Sequence, residues 1–245
     1  MTSRLLDLTG TPSDYPFPPP HNALSEPDGL LAVGGCLSVA RLRQAYQHGI
    51  FPWFSRHEPI LWWSPAQRAV IYPEQLHISR SLAKFARQKP YQITLNRNFP
   101  AVIQQCATIP RGPGNGVWVT AAMQTAYCAL HQAGYAHSVE VWQGNRLVGG
   151  LYGVMVGSIF CGESMFSSAE NASKLALLAL RNYLTPLGLS LIDCQIENPH
   201  LTRLGAVSIC RDQFLMLLAA SRKSAGFAQE TLTERDLTHL VIGNY

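Results

Sequence analysis

Between Gln75 and Val139 the chain contains no aspartate or glutamate. The same stretch carries Arg80, Lys84, Arg87, Lys89, Arg97 and Arg111, six positive charges against a net +4 for all 245 residues. A helix face that is merely wet normally interleaves both signs, so that residues at i and i+4 support each other. Here there is nothing to interleave, and uncompensated positive charge of this kind suits phosphate. Charge is scarce elsewhere as well. With 14% charged and 47% hydrophobic residues, a disordered chain is excluded, and the length allows one large core or two unequal domains. The six cysteines (Cys36, Cys106, Cys128, Cys161, Cys194, Cys210) form no C-x-x-C pair and no His/Cys cluster, so no metal site is expected. No run reaches the roughly eighteen apolar residues that span a bilayer. Met1 to Pro20 lacks the apolar centre of a secretory signal, which, with the scattered thiols, points to the reducing cytoplasm.

What is present divides near residue 66. Residues 1–66 are rich in proline and aromatics, with one short helix over Ser38 to His48 that stops at Gly49. They read as a small N-terminal domain with little sheet. The aromatics between Phe51 and Trp63 form either a miniature core or flat surfaces on which a nucleobase can stack. From 67 to 245 the pattern is mixed α/β. Ser79 is placed to cap a helix in which Arg80, Lys84 and Arg87 share one stripe and Leu82, Phe85 and Ala86 the other. A helix over Ala121 to Ala133 precedes three strands, Ser138 to Trp142, Leu147 to Met155 and Ser158 to Met165. The second and third make a hairpin, because Gly149, Gly150, Gly153 and Gly157 break the longest apolar stretch. Ser167 and Glu170 have the spacing of a capping box for a helix running to about Leu184. A buried strand, Leu189 to Ile196, then leads to Asn198-Pro199, a cap and first-turn pair for another helix.

Two of these strands carry a carboxylate among small and apolar residues, Glu163 in Phe160–Ser167 and Asp193 in Leu191–Gln195. A buried acid must be paired or hydrogen-bonded, an arrangement chemistry demands more often than folding does. The alternative is that both sit at strand ends in water. Residue types leave two further readings open. One is a cysteine hydrolase built on Cys161 or Cys194 with His137; the other is a non-catalytic RNA-binding protein using the basic stripe and the aromatics.

Three antiparallel strands, a helix and a returning strand suggest an acyltransferase core of the GNAT type. Its usual CoA site needs a glycine-rich turn before the helix. Ser167-Ser168-Ala169-Glu170-Asn171 has no glycine and contains an acid, so CoA fits poorly. The segments Glu26-Pro27-Asp28-Gly29-Leu30-Leu31-Ala32, Gly49-Ile50-Phe51-Pro52-Trp53-Phe54, Ile60-Leu61-Trp62-Trp63-Ser64-Pro65, Leu76-His77-Ile78-Ser79-Arg80-Ser81, Phe160 to Ser167, Asn171-Ala172-Ser173-Lys174 and Ile192-Asp193-Cys194-Gln195 closely resemble the bacterial leucyl/phenylalanyl-tRNA–protein transferase family. The resemblance runs from about Ser25 to Asp212. It implies a small N-terminal domain packed on a GNAT-like domain with a mixed, largely antiparallel sheet. It also implies a monomeric cytoplasmic enzyme that needs no cofactor and moves Leu, Phe or Met from aminoacyl-tRNA onto proteins beginning with Arg or Lys, marking them for degradation.

By the same resemblance the reacting groups are Asp193 and Gln195, which orient and deprotonate the attacking amine, with Glu163 and Asn198 nearby and Glu163 holding the cationic end of the acceptor. The donor side-chain pocket falls on Trp53, Trp118, Leu151, Leu177, Leu180, Leu184 and Ile192. The tRNA contacts fall on Arg80, Lys84, Arg87 and Lys89, with Tyr46 or Trp53 stacking on the terminal adenine. No role attaches to the tail, 224–245.

Overall fold

A computed structural model describes residues 5–88, 91–108, 119–223 and 232–242. The first strands are short, as a proline-rich segment requires: β1 (Leu6–Asp7), β2 (Leu30–Val33), then helix α1 (Val39–Gln47), β3 (Phe51–Pro52) and β4 (Leu61–Trp63). They pair in the order β1-β2-β4-β3. The little sheet expected here is a four-stranded one: the aromatic words are themselves short strands, and Trp62 is fully buried between them.

The remaining elements are β5 (Gln67–Ile71), α2 (Arg80–Arg87), β6 (Gln92–Leu95), α3 (Phe99–Thr108), α4 (Ala121–Gln132), β7 (Ala136–Gln143), β8 (Arg146–Val156), β9 (Ile159–Ser167), α5 (Ala172–Leu184), β10 (Leu191–Gln195), α6 (Pro199–Arg203), β11 (Val207–Cys210), α7 (Arg211–Lys223) and β12 (Arg235–Asp236). Their sheet runs β11-β5-β10-β9-β8-β7-β6-β12, antiparallel throughout except between β9 and β10. The single parallel pair follows from α5, which carries the chain from the end of β9 back to the start of β10.

Alternate side chains of the central strands feed two cores. Val139, Val141, Val148 and Leu151 face α2 and α5. Tyr152, Val154, Ile159 and Cys161 face α1, α3, α4 and α7. The start of α5 departs from the capping-box expectation. Asn171, left-handed at φ 56°, stands at its N-cap, and the Ser167 hydroxyl reaches the amide of Ser173 instead. Asparagine tolerates that backbone better than most residues, and the detour places the first turn of α5 beside the end of β9. The tail joins the fold, β12 pairing with β6 to form the edge of the sheet.

Candidate active site

Strands β9 and β10 run side by side only as far as Cys161 and Asp193, where their pairing ends. Each is irregular just beyond. In β9, Gly162 lies opposite Gly153 and Ser164 opposite Tyr152, which leaves Glu163 as an extra residue. In β10, Cys194 is extra in the same way against β5. A bulge bends its strand and re-aims a side chain. Two bulges at the same level open a cleft and turn Glu163 and Gln195 towards one another. Gly153 permits the first, since a β-carbon there would lie 2.3 Å from the Cys161 carbonyl oxygen.

The cleft encloses about 190 Å³. Ile71, Leu151, Phe160, Leu177 and Ile192 form its apolar wall; Glu163, Ser164, Gln195 and Asn198 bring polar groups to it. The Gln195 side-chain amide donates to Glu163 Oε1 at 2.6 Å, and the Tyr127 hydroxyl donates to Oε2 at 3.1 Å. Tyr127 is hydrogen-bonded in turn to the Tyr46 hydroxyl. Burial lifts the Glu163 pKa from 4.5 to about 7, and the Asp193 charge adds to the rise; hydrogen bonds from Tyr46, Tyr127 and Gln195 oppose it.

Asp193 has a different setting. It is fully buried, and Arg68 takes both its oxygens, Nε to Oδ1 at 2.8 Å and Nη2 to Oδ2 at 2.7 Å. Oδ1 also accepts from the backbone N–H of Gln195 at 2.9 Å, holding that residue at φ 64°. Arg68 itself lies against the rings of Phe51 and Phe214 and donates to the Gly49 carbonyl. Burial works against its charge, but Asp193 outweighs burial and holds its pKa above the ordinary value. Asp193 therefore reaches the cleft only through Gln195, and the N-terminal segment reaches the same place through Tyr46, Gly49 and Phe51.

Of the donor-pocket residues, Leu151, Leu177 and Ile192 line the cleft. Leu180 and Leu184 are fully buried in the core under the sheet and outside the lining, because each lies farther along α5 from the opening. Trp53 is also outside it, 43% exposed and edge-to-face with Trp63. Trp118 and Lys89 fall outside the described residues. Arg80, Lys84 and Arg87 are exposed on α2, whose first turn Ser79 caps. Tyr46 is only 2% exposed, so its ring cannot stack on a base; its hydroxyl serves the Glu163 network instead. Asn198 caps α6 through the amides of His200 and Leu201 and also borders the cleft.

Arg68 and Tyr127 escaped the sequence reading. A lone arginine in the strand Gln67–Ile71 was the available signal for the first; nothing marked the second. Glu140, another buried acid, is structural: Thr94, Ser138 and the amides of Arg97 and Asn98 bond to it. The cysteine-hydrolase alternative fails on physical grounds. Burial pushes the thiols of Cys161 and Cys194 up, away from thiolate, and His137 lies on β7, beyond the intervening β8 from Cys161. Among the described residues no group of three or more His, Cys, Asp or Glu is placed to hold a metal ion, and no helix is long and apolar enough to cross a membrane.

The chain matches the family described as leucyl/phenylalanyl-tRNA protein transferase over residues 70–219, and the N-terminal domain of that family over residues 35–66. It is 56% identical over 207 residues to the leucyl/phenylalanyl-tRNA–protein transferase of Idiomarina loihiensis, covering 84% of this chain and 87% of that one. With the Pseudomonas fluorescens protein of the same name it shares 58% over 198 residues, 81% and 87% of the two chains. For that of Klebsiella pneumoniae the figures are 56% over 206 residues, 84% and 87%. Identity of this depth over more than four fifths of each chain, with the family's two models matching residues 70–219 and 35–66, means that the chain belongs to the leucyl/phenylalanyl-tRNA protein transferase family.

Proposed function

We propose that the protein moves leucine, and with it phenylalanine and methionine, from aminoacyl-tRNA to the N-terminal α-amine of proteins beginning with Arg or Lys, creating an N-degron. The observation that carries this reading is the cleft: an apolar wall with room for one donor side chain, and a carboxylate and a carboxamide at its polar side. In this reading the donor side chain lies on Leu151, Leu177 and Ile192, which sets its ester carbonyl beside Glu163 and Gln195.

The acceptor arrives largely as an ammonium ion, since α-amines titrate at about 7.7–8.0. It must shed a proton to attack. Glu163, with a pKa of about 7, is matched to take it. The amine nitrogen then bonds to the ester carbonyl, the bond from that carbon to the ribose oxygen breaks, and the departing oxygen takes up a proton. The Gln195 side-chain amide is committed to Glu163, so its own oxygen is left to orient the amine. Asp193, paired with Arg68, is the positioning residue that fixes the backbone of Gln195. The ester is already activated, so the step needs no ATP, and holding amine and ester together can by itself remove about 7–11 kcal/mol of barrier.

On the same reading Arg80, Lys84 and Arg87 meet the acceptor end of the tRNA, and the exposed ring of Trp53 stacks on its terminal base. The chain divides at residues 66 and 67 into a small N-terminal domain and a GNAT-like transferase domain, and works as a cytoplasmic monomer. The test is transfer of labelled leucine from Leu-tRNA to paired peptides beginning with Arg or with Ala. Label on the Arg peptide alone supports the reading. No transfer to either, with tRNA still bound, favours a binding protein.

A further inference from the structure

Beside the cleft lies a second cavity of about 360 Å³, lined by His77, Ser79, Leu82, Lys174, His200, Arg203 and Leu204. Three elements meet there: the start of α2, the first turn of α5, and α6. Four of the seven side chains are basic and none is acidic. They crowd one another, since burial and then the charges of Arg203 and Lys174 lower the His200 pKa. Among the described residues neither Lys174 nor Arg203 has a carboxylate within salt-bridge distance. α2 contributes the partial positive charge of its N-terminus, with no acid in its first turn to neutralise it. Fold stability gains nothing from gathering Lys174 and Arg203 without an acid, whereas an anion entering the cavity would be held by these charges and by the donors of the histidines.

Its position limits which anion. His200 lines both this cavity and the cleft, so the two adjoin. Ser79 and Leu82 bring the start of α2 to the cavity, and the same helix carries the exposed cations Arg80, Lys84 and Arg87. A polyanion whose end is fixed in the cleft meets a positively charged way out through the cavity and onto that helix. We propose that this cavity is a phosphodiester subsite, holding the backbone phosphates of the donor's last nucleotides through Lys174, His200, Arg203 and His77 while the aminoacyl ester lies in the cleft. The proposal rests on the transferase reading above and adds to it the register in which the RNA enters.

The test compares two leucine donors that differ in phosphate: leucyl-adenosine, which has no phosphodiester, and the leucylated 3′-terminal trinucleotide, which has two linkages. In the wild type the trinucleotide is expected to be the better donor. In the double variant Lys174→Gln/Arg203→Gln, the ratio of kcat/KM for trinucleotide over leucyl-adenosine should fall by at least about tenfold, and rising salt should change it less than in the wild type. An equal fall for both donors would mean that the cations only support the cleft, and an unchanged ratio that they do not meet phosphate; either result overturns the subsite. If the wild type moves leucine from neither donor nor from Leu-tRNA, the transferase reading itself fails.

Discussion

Glu163 and Asp193 are both buried acids, and their partners separate their tasks. Asp193 is held by a guanidinium fixed on two rings and a carbonyl, so removing it strands a buried positive charge. Breaking one side of a buried pair costs about 3–5 kcal/mol. Glu163 faces neutral donors, and glutamine has its shape: the amide oxygen can still accept from Gln195, and the Tyr127 hydroxyl can turn to accept from the new NH2. Asp193→Ala should therefore lower the urea midpoint together with transfer, whereas Glu163→Gln should keep the fold and lose roughly a hundredfold or more in kcat. The wild-type rate should also climb through pH about 7 and level off, an inflection that the glutamine variant lacks. Wild-type transfer by Glu163→Gln at pH 8 would remove it as the base. Both acids were legible in the sequence as carboxylates inside apolar strands. Their division of labour was not, because Arg68 stands 125 residues from Asp193 and Tyr127 stands 36 from Glu163, and no local pattern links them.

At the scale of elements, period and caps were readable and irregularities were not. α1, α2, α4 and the meander β7-β8-β9 lie within two residues of where periodicity puts them. The bulges at Glu163 and Cys194 exist only relative to a neighbouring strand, so no single strand's sequence could declare them. The α2 stripe could be read as uncompensated charge because the segment around it holds no acid and none stands in the first turn of the helix. Changing Arg80, Lys84 and Arg87 together to glutamine should weaken tRNA binding and flatten the plot of log affinity against log salt by roughly two units. These side chains are exposed, so the variant's thermal stability should stay close to wild type, and an unchanged slope would return the stripe to solvent.

For the whole molecule, two large displacements between mildly acid and neutral pH, those of Glu163 and His137, pull stability in opposite directions. Glu163 rises from 4.5 to about 7, mainly by burial, so the folded state keeps a proton that the unfolded state releases. Its contribution is fully present below pH 4.5 and is lost as pH rises towards 7. Burial, with His131 adding to it, lowers His137 from 6.5 to about 4, and its contribution is complete above pH 6.5 and lost as pH falls towards 4. Between 4.5 and 6.5 the unfolded chain holds one proton on His137 and the folded chain one on Glu163, so the two slopes cancel. Each displacement corresponds to about 3 kcal/mol, at about 1.4 kcal/mol per pKa unit. Removing one group should expose the other. Glu163→Gln should become more stable as pH rises from 4.5 to 6.5, and His137→Gln less stable over the same range. Glu140, also raised by burial, adds the same slope to wild type and both variants, so the differences between them isolate the pair. Urea unfolding at pH 4.5, 5.5 and 6.5 reads these slopes directly. Parallel curves for all three proteins would mean that neither group titrates differently in the folded chain, and Glu163 would then have no raised pKa with which to act as base near neutral pH.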